Sequence, residues 1–95
     1  MAKVEKLVAA IHVHLAARIK REREHQGLSR LAVAERAGLS QQMVSYLEKG
    51  MRNPSLDTLV RVCNILALDL SALIAEVTKG ADGKTVGKSG KPNQQ

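Results

Sequence analysis

Aromatic residues are almost missing from this chain: one Tyr, no Phe and no Trp occur in 95 residues. A core without large rings has to be assembled from Leu, Val, Ile and Ala, which favours small helices that pack closely. Cysteine is nearly missing too. Cys63 stands alone, which excludes an intramolecular disulfide and a cysteine-based zinc site. No uninterrupted run of about 18 apolar residues occurs, so no membrane-spanning helix is expected. Met1 to Leu15 holds Glu5, His12 and His14 and lacks the apolar centre of a secretion signal, so the expected compartment is the reducing cytoplasm. Acidic residues are few. The 9 Asp and Glu against 15 Lys and Arg leave a net charge of +6, which favours an anionic partner, either nucleic acid or a membrane surface. The length suits one domain, with no room for a ligand-sensing pocket beside a catalytic unit.

What is present is helical patterning. Val4, Leu7, Val8, Ile11, Leu15 and Ile19 recur at helical spacing, and no breaker follows until Gly27. A first helix from about Lys3 to His25 is expected, with His12 the place where it could break. Ser29 caps a second helix, Arg30 to Ala37, which Gly38 stops. Ser40 caps a third, Gln41 to Lys49, which Gly50 stops. Asn53-Pro54-Ser55 is a turn and cap before a fourth helix carrying Leu56, Leu59, Val60, Cys63 and Leu66. Asp69 caps a fifth, with Leu70, Leu73, Ile74 and Val77 as its apolar stripe. No period-two stretch is long enough for a strand. Gly80, Gly83, Gly87, Gly90 and three Lys dominate residues 80–95, which bury too little to order and read as a disordered basic tail.

Residues 30–49 carry the functional signal. Two short helices joined by a turn of about three or four residues, one a glycine, make a helix-turn-helix. Close crossing needs a small residue within the first helix, supplied by Ala34. The turn needs a residue that tolerates positive φ, supplied by Gly38. The inner faces need apolar groups, supplied by Val33, Ala37, Leu39, Val44 and Leu47. Any one of these alone would mean little; together they are specific.

On those residues, and on GLS (27–29), AERAGLS (34–40), VSYLEKG (44–50) and NPSLDTL (53–59), the chain resembles the lambda-repressor-like, Cro/CI-type (Xre) helix-turn-helix family over residues 15–77. The resemblance implies an all-α, five-helix DNA-binding domain at residues 15–79. It would be preceded by an N-terminal helical extension (1–14) that lengthens the first helix, and followed by the tail (80–95). It also implies sequence-specific binding to double-stranded DNA as a homodimer, with the third helix reading the bases. Gln41 and Gln42 open that helix, and a Gln amide suits adenine N6 and N7. Tyr46 lies one turn on; Ser45 and Met43 flank the surface, Met43 within reach of a thymine methyl. Phosphate contacts are expected from Arg30, Ser40, Lys49, Arg52 and Asn53, with the helix N-terminus assisting at Ser40. Arg30 departs from the family, which usually has Gln there both to bond phosphate and to brace the first Gln of the reading helix. Arg suits the phosphate; the brace on Gln41 is what the departure puts in question. Arg23 and Glu48 match the family's structural ion pair.

The remaining residues carry less. Cys63 reads as a small core residue. His12 and His14 are two apart and face different sides of a helix, so no metal site and no cofactor is expected. No nucleophile and base are paired, so the chain does not read as an enzyme. Leu70, Leu73, Ile74 and Val77 are the expected dimer surface; the N-terminal extension is a second candidate, packing on the fifth helix of its own chain or of a partner. RNA polymerase or a toxin protein is a further partner class. An antitoxin or a restriction-modification controller of the same fold is the nearest alternative. A protein-interaction module that has lost DNA binding would want an acidic or apolar reading surface, against which Gln41, Gln42, Arg30 and Arg52 argue. An interfacial membrane binder would want the missing Trp and Phe.

Overall fold

The structure, a computed structural model, describes residues 2–50 and 53–82, with side chains for residues 3–50 and 53–79. Five helices form, and no strand occurs among the described residues: α1 (Ala2–His25), α2 (Arg30–Ala37), α3 (Gln41–Lys49), α4 (Leu56–Leu66) and α5 (Leu70–Asp82). The expected all-α order is found. α1 runs 24 residues with no break at His12. α5 continues past Val77, so the tail boundary drawn after residue 79 falls inside it; the rest of the tail, residues 83–95, lies outside the described residues.

The caps explain the starts. Ser29, Ser40 and Ser55 sit in extended backbone, and their hydroxyls accept from the amides of Ala32, Met43 and Thr58 at 3.0, 3.0 and 3.1 Å. Each such cap is worth about 1 kcal/mol relative to Ala. Asp69 does the same for α5: its carboxylate accepts from the Ser71 hydroxyl at 2.7 Å and the Ala72 amide at 3.2 Å. Those bonds, Ser71 first, hold its carboxyl below the usual range. The turn between α2 and α3 needs a left-handed residue, and Gly38 has φ 73°. The Leu39 amide then closes on the Ala34 carbonyl at 2.8 Å, which finishes α2 and redirects the chain into α3 within three residues.

The core is aliphatic. Leu15 and Ile19 of α1 meet Val33 and Ala34 of α2, Val44 and Leu47 of α3, Leu59, Val62, Cys63 and Leu66 of α4, and Leu73 of α5. On α4 the expected stripe is rotated. The spacing 59, 62, 63, 66 follows the helical period more closely, so Val62 is buried while Val60 is 50% and Leu56 69% exposed. α1 packs on α5, α3 and α4, and α2 packs on α3 and α4, so α1 and α4 form the platform on which the α2–α3 pair stands. Two side chains latch it. Arg61 of α4 donates to the Ala37 carbonyl at 3.1 Å and to Asp57 at 2.8 Å; Gln26 donates to the Leu66 carbonyl at 2.9 Å.

Candidate nucleic-acid interface

α3 has a hidden face and an open one. Val44 and Leu47 are 0% and 5% exposed and fix its roll against the core, which leaves Gln41, Gln42 and Met43 in solvent. Ser45 and Tyr46 are half-buried on the flank. Gln42 donates its side-chain amide to the Tyr46 hydroxyl at 2.8 Å, one helical turn away. That bond uses one N–H of the amide. The second N–H and the carbonyl oxygen still make the donor–acceptor pair that an adenine edge requires. At the start of α3 the Ser40 oxygen accepts from Met43, so its own proton is left to donate outward beside the first-turn amides. Lys49 and Asn53 are exposed. Arg52 lies outside the described residues. Asn53 and Met43 share a small apolar groove, about 290 Å³, with Tyr46, Pro54 and Ser55.

The cluster behind this surface is ionic. The Glu48 carboxylate is 1% exposed and is held by two arginines. Arg23 grips it from Nε at 2.5 Å and from Nη2 at 3.0 Å, and spends Nη1 on the Leu28 carbonyl at 2.8 Å. The Arg23 guanidinium is pushed up from its ordinary value, first by its hydrogen bond to Glu48 and against the opposing effect of burial. This is the pair expected from sequence. Arg30 adds what sequence did not anticipate: its Nε donates to Glu48 at 3.1 Å, while its side chain stays 38% exposed. Arg30 is therefore anchored at its stem to the end of α3, with the outer edge of its guanidinium facing solvent, and it does not brace Gln41. Sequence reading also missed Arg61 and Gln26. Their spacing shows the Asp57–Arg61 pair but not a bond to a carbonyl more than 20 residues away.

A family model described as helix-turn-helix matches residues 19–73, more than half of the chain. The chain belongs to the Cro/CI-type (Xre) helix-turn-helix family. It is 38% identical over 61 residues to the immunity repressor protein of Bacillus phage phi105, covering 64% of this chain and 42% of that one. It is 40% identical over 58 residues to an uncharacterized HTH-type transcriptional regulator of Sinorhizobium fredii, covering 61% of this chain and 71% of that protein. The chain thus spans less than half the length of the phage repressor. Among solved structures, the clp gene regulator ClgR of Corynebacterium glutamicum has the same fold, with a TM-score of 0.64 at 23% identity over 78% of this chain and 79% of that one.

In this helix-turn-helix protein the four residues expected at a dimer surface are placed differently from one another. Leu73 is 2% exposed and belongs to the core of its own chain, so it is not available to a partner. Leu70 packs against the edge of that core. Ile74 and Val77 are half-buried. α1 packs on α5 of its own chain, with His14 and Arg18 paired to Glu76.

Proposed function

We propose that the chain is a sequence-specific, double-stranded DNA-binding transcriptional regulator that reads a pseudo-palindromic operator as a homodimer. The observation that carries it is the N-terminal end of α3: Gln41 and Gln42 stand exposed while Val44 and Leu47 hold the helix rigidly behind them. A side chain held on a rigid element can reject a wrong base, and each good bidentate pair gives about 1–3 kcal/mol of discrimination. Arg30, Ser40, Lys49, Arg52 and Asn53 set the register through phosphates. Two copies related by a two-fold axis place their reading helices about 34 Å apart, one DNA turn. The resemblance to a phage immunity repressor favours repression by promoter occlusion.

The test is selection of random duplexes by the purified chain at near-physiological salt, with a Gln41→Ala/Gln42→Ala variant in parallel. A palindromic motif that loses definite base pairs in the variant is the expected result. Equal enrichment by both proteins, or no motif at all, removes the reading.

A further inference from the structure

Glu48 receives two arginines, and the second is not needed to satisfy it. Arg23 reaches both carboxylate oxygens, Oε2 from Nε at 2.5 Å and Oε1 from Nη2 at 3.0 Å. That pair neutralises a carboxylate that is 1% exposed. Arg30 Nε then donates to Oε1 at 3.1 Å, an oxygen that Arg23 already bonds. For holding the fold together the Arg30 bond is redundant. For holding Arg30 in place it is well built.

An exposed arginine samples many rotamers and gives them up when it binds. Arg30 is 38% exposed, yet its Nε is tied to a buried group on another helix. Both ends of the tie are rigid. Arg30 opens α2 and Glu48 lies in the last turn of α3, and Val33, Ala34, Val44 and Leu47 join the two helices in the core. A guanidinium offers one bidentate edge that includes Nε and another between its two terminal nitrogens. Nε faces Glu48, so the edge that remains is the Nη1–Nη2 fork. Arg30 makes no other hydrogen bond among the described residues. Two parallel N–H groups match two oxygens of a phosphate. Charge selects the same ligand. One carboxylate against two guanidinium groups leaves one positive charge, and buried Arg23 cancels Glu48, so the surplus sits on Arg30 at the surface. Glu48 therefore orients the fork without repelling an anion beyond it.

We infer that Glu48 is a positioning residue for DNA binding: it holds Arg30 so that the Nη1–Nη2 fork is preset for one backbone phosphate. The inference rests on the DNA-binding reading above and deepens it. The family's usual Gln braces the start of the reading helix; here Arg30 is itself braced by the end of that helix. A lysine at position 30 keeps the charge but has neither the anchor nor the fork.

The test is fluorescence anisotropy on a labelled duplex selected by the wild type, run over a salt series. Arg30→Lys should bind about tenfold more weakly at each salt concentration, with the log–log slope of the wild type, since the charge is kept. Preference among single base-pair variants of the duplex should be unchanged, because a phosphate contact carries no base information. Arg36→Lys, the same exchange at an exposed position of α2, should bind as wild type. In a Glu48→Gln background, Arg30→Lys should cost little, since the anchor is already lost. A second measurement needs neither DNA nor that background: NMR of the arginine Nε–H groups in the free wild type should show Arg30 Nε–H as rigid as the backbone. Urea midpoints for Arg30→Lys close to wild type separate lost affinity from lost fold. Arg30→Lys binding as wild type, or a flexible Arg30 Nε–H, overturns the inference and leaves the DNA reading standing. An equal loss with and without Glu48→Gln overturns the role of Glu48. A loss confined to one base pair overturns the phosphate and assigns the fork to a base edge. A wild type that binds no duplex removes the DNA reading, and this inference with it.

Discussion

Glu48 shows what one residue controls. It is buried at the end of α3, carries one negative charge and receives two guanidinium groups. All three guanidinium nitrogens of Arg23 are engaged, which ties α1 to the joint before α2 and to α3 at once. Removing the carboxylate strands a nearly buried guanidinium. Glu48→Ala should therefore lower unfolding stability by about 3–5 kcal/mol in urea titrations. Arg30→Ala should cost about 1 kcal/mol or less, because Arg30 is more than a third exposed and Arg23 continues to satisfy the acid. Equal losses would mean that Arg30, not Arg23, is the structural partner. The Arg23–Glu48 pair was legible through its family motif. Arg30 was legible as a basic residue at a helix start but not as a residue with an internal anchor, since that depends on the crossing of α2 and α3. Cys63 behaves as its place on the α4 stripe implied: it is 2% exposed, and burial pushes its thiol up.

At the level of elements, most ends were readable; the end of α5, which runs to Asp82, and the turn that stops α4 were not. Gly27, Gly38 and Gly50 all take positive φ, and each was the expected stop of its helix. α4 ends in the same left-handed turn, with Ala67 at φ 59° and the Leu68 amide closing on the Cys63 carbonyl at 2.8 Å. Nothing in the composition marks that stop, because an Ala reads as helix-forming; buried Leu66 and half-buried Leu68, packed on the core on either side of it, impose the turn. Left-handed backbone costs a Cβ-bearing residue about 1–2 kcal/mol, so Ala67→Gly should raise the melting temperature, net of the flexibility that Gly adds to the unfolded chain. Gly38→Ala should do the opposite, and by more than Gly27→Ala. A Cβ at Gly27 meets open space, whereas at Gly38 it meets Arg61 Nη1 at 3.1 Å and displaces the latch on the Ala37 carbonyl. The packing of α1 on α5 has a pH signature. The Glu76 carboxyl is held below its ordinary 4.5, first by its hydrogen bond with His14. The folded chain therefore binds that proton less readily than the unfolded one. The stabilisation is complete above the unfolded value and is lost as pH falls through the folded one. The melting-temperature gap between wild type and Glu76→Gln should be open at neutral pH and should close as the solution is acidified below the ordinary carboxyl value of 4.5 and through the lower folded one. A gap independent of pH would mean that the ion pair contributes nothing.

For the whole molecule, the same net charge acts on two surfaces in opposite directions. The α2–α3 end presents Arg30, Lys49 and the amides at the start of α3, and under the function proposed above its positive charge holds phosphate. The groove between α1 and α5 presents Ala9, Ala10, Val13, Ala17 and Val77 with His14 and Glu76 at its edge, and the net positive charge of the chain pushes two copies apart. Salt separates the two effects. DNA affinity should fall steeply as salt rises, because each neutralised phosphate contributes a log–log slope of about 0.9 through counterion release. Arg30→Ala and Lys49→Ala should each make that slope shallower by about that amount, equally on every sequence, since phosphate contacts carry no base information. Gln41→Ala should leave the slope alone and flatten discrimination at one base pair. Self-association should not weaken over the same range. Screening shortens the reach of the like charges to within about 3–10 Å, so a dimer joined by apolar side chains should hold or tighten between about 0.1 and 1 M salt. Fluorescence anisotropy on an operator duplex and sedimentation without DNA, run on one salt series, measure both trends. Opposite slopes place the charge and the contact on different faces of the molecule; parallel decline would mean that the copies are held together by ion pairs.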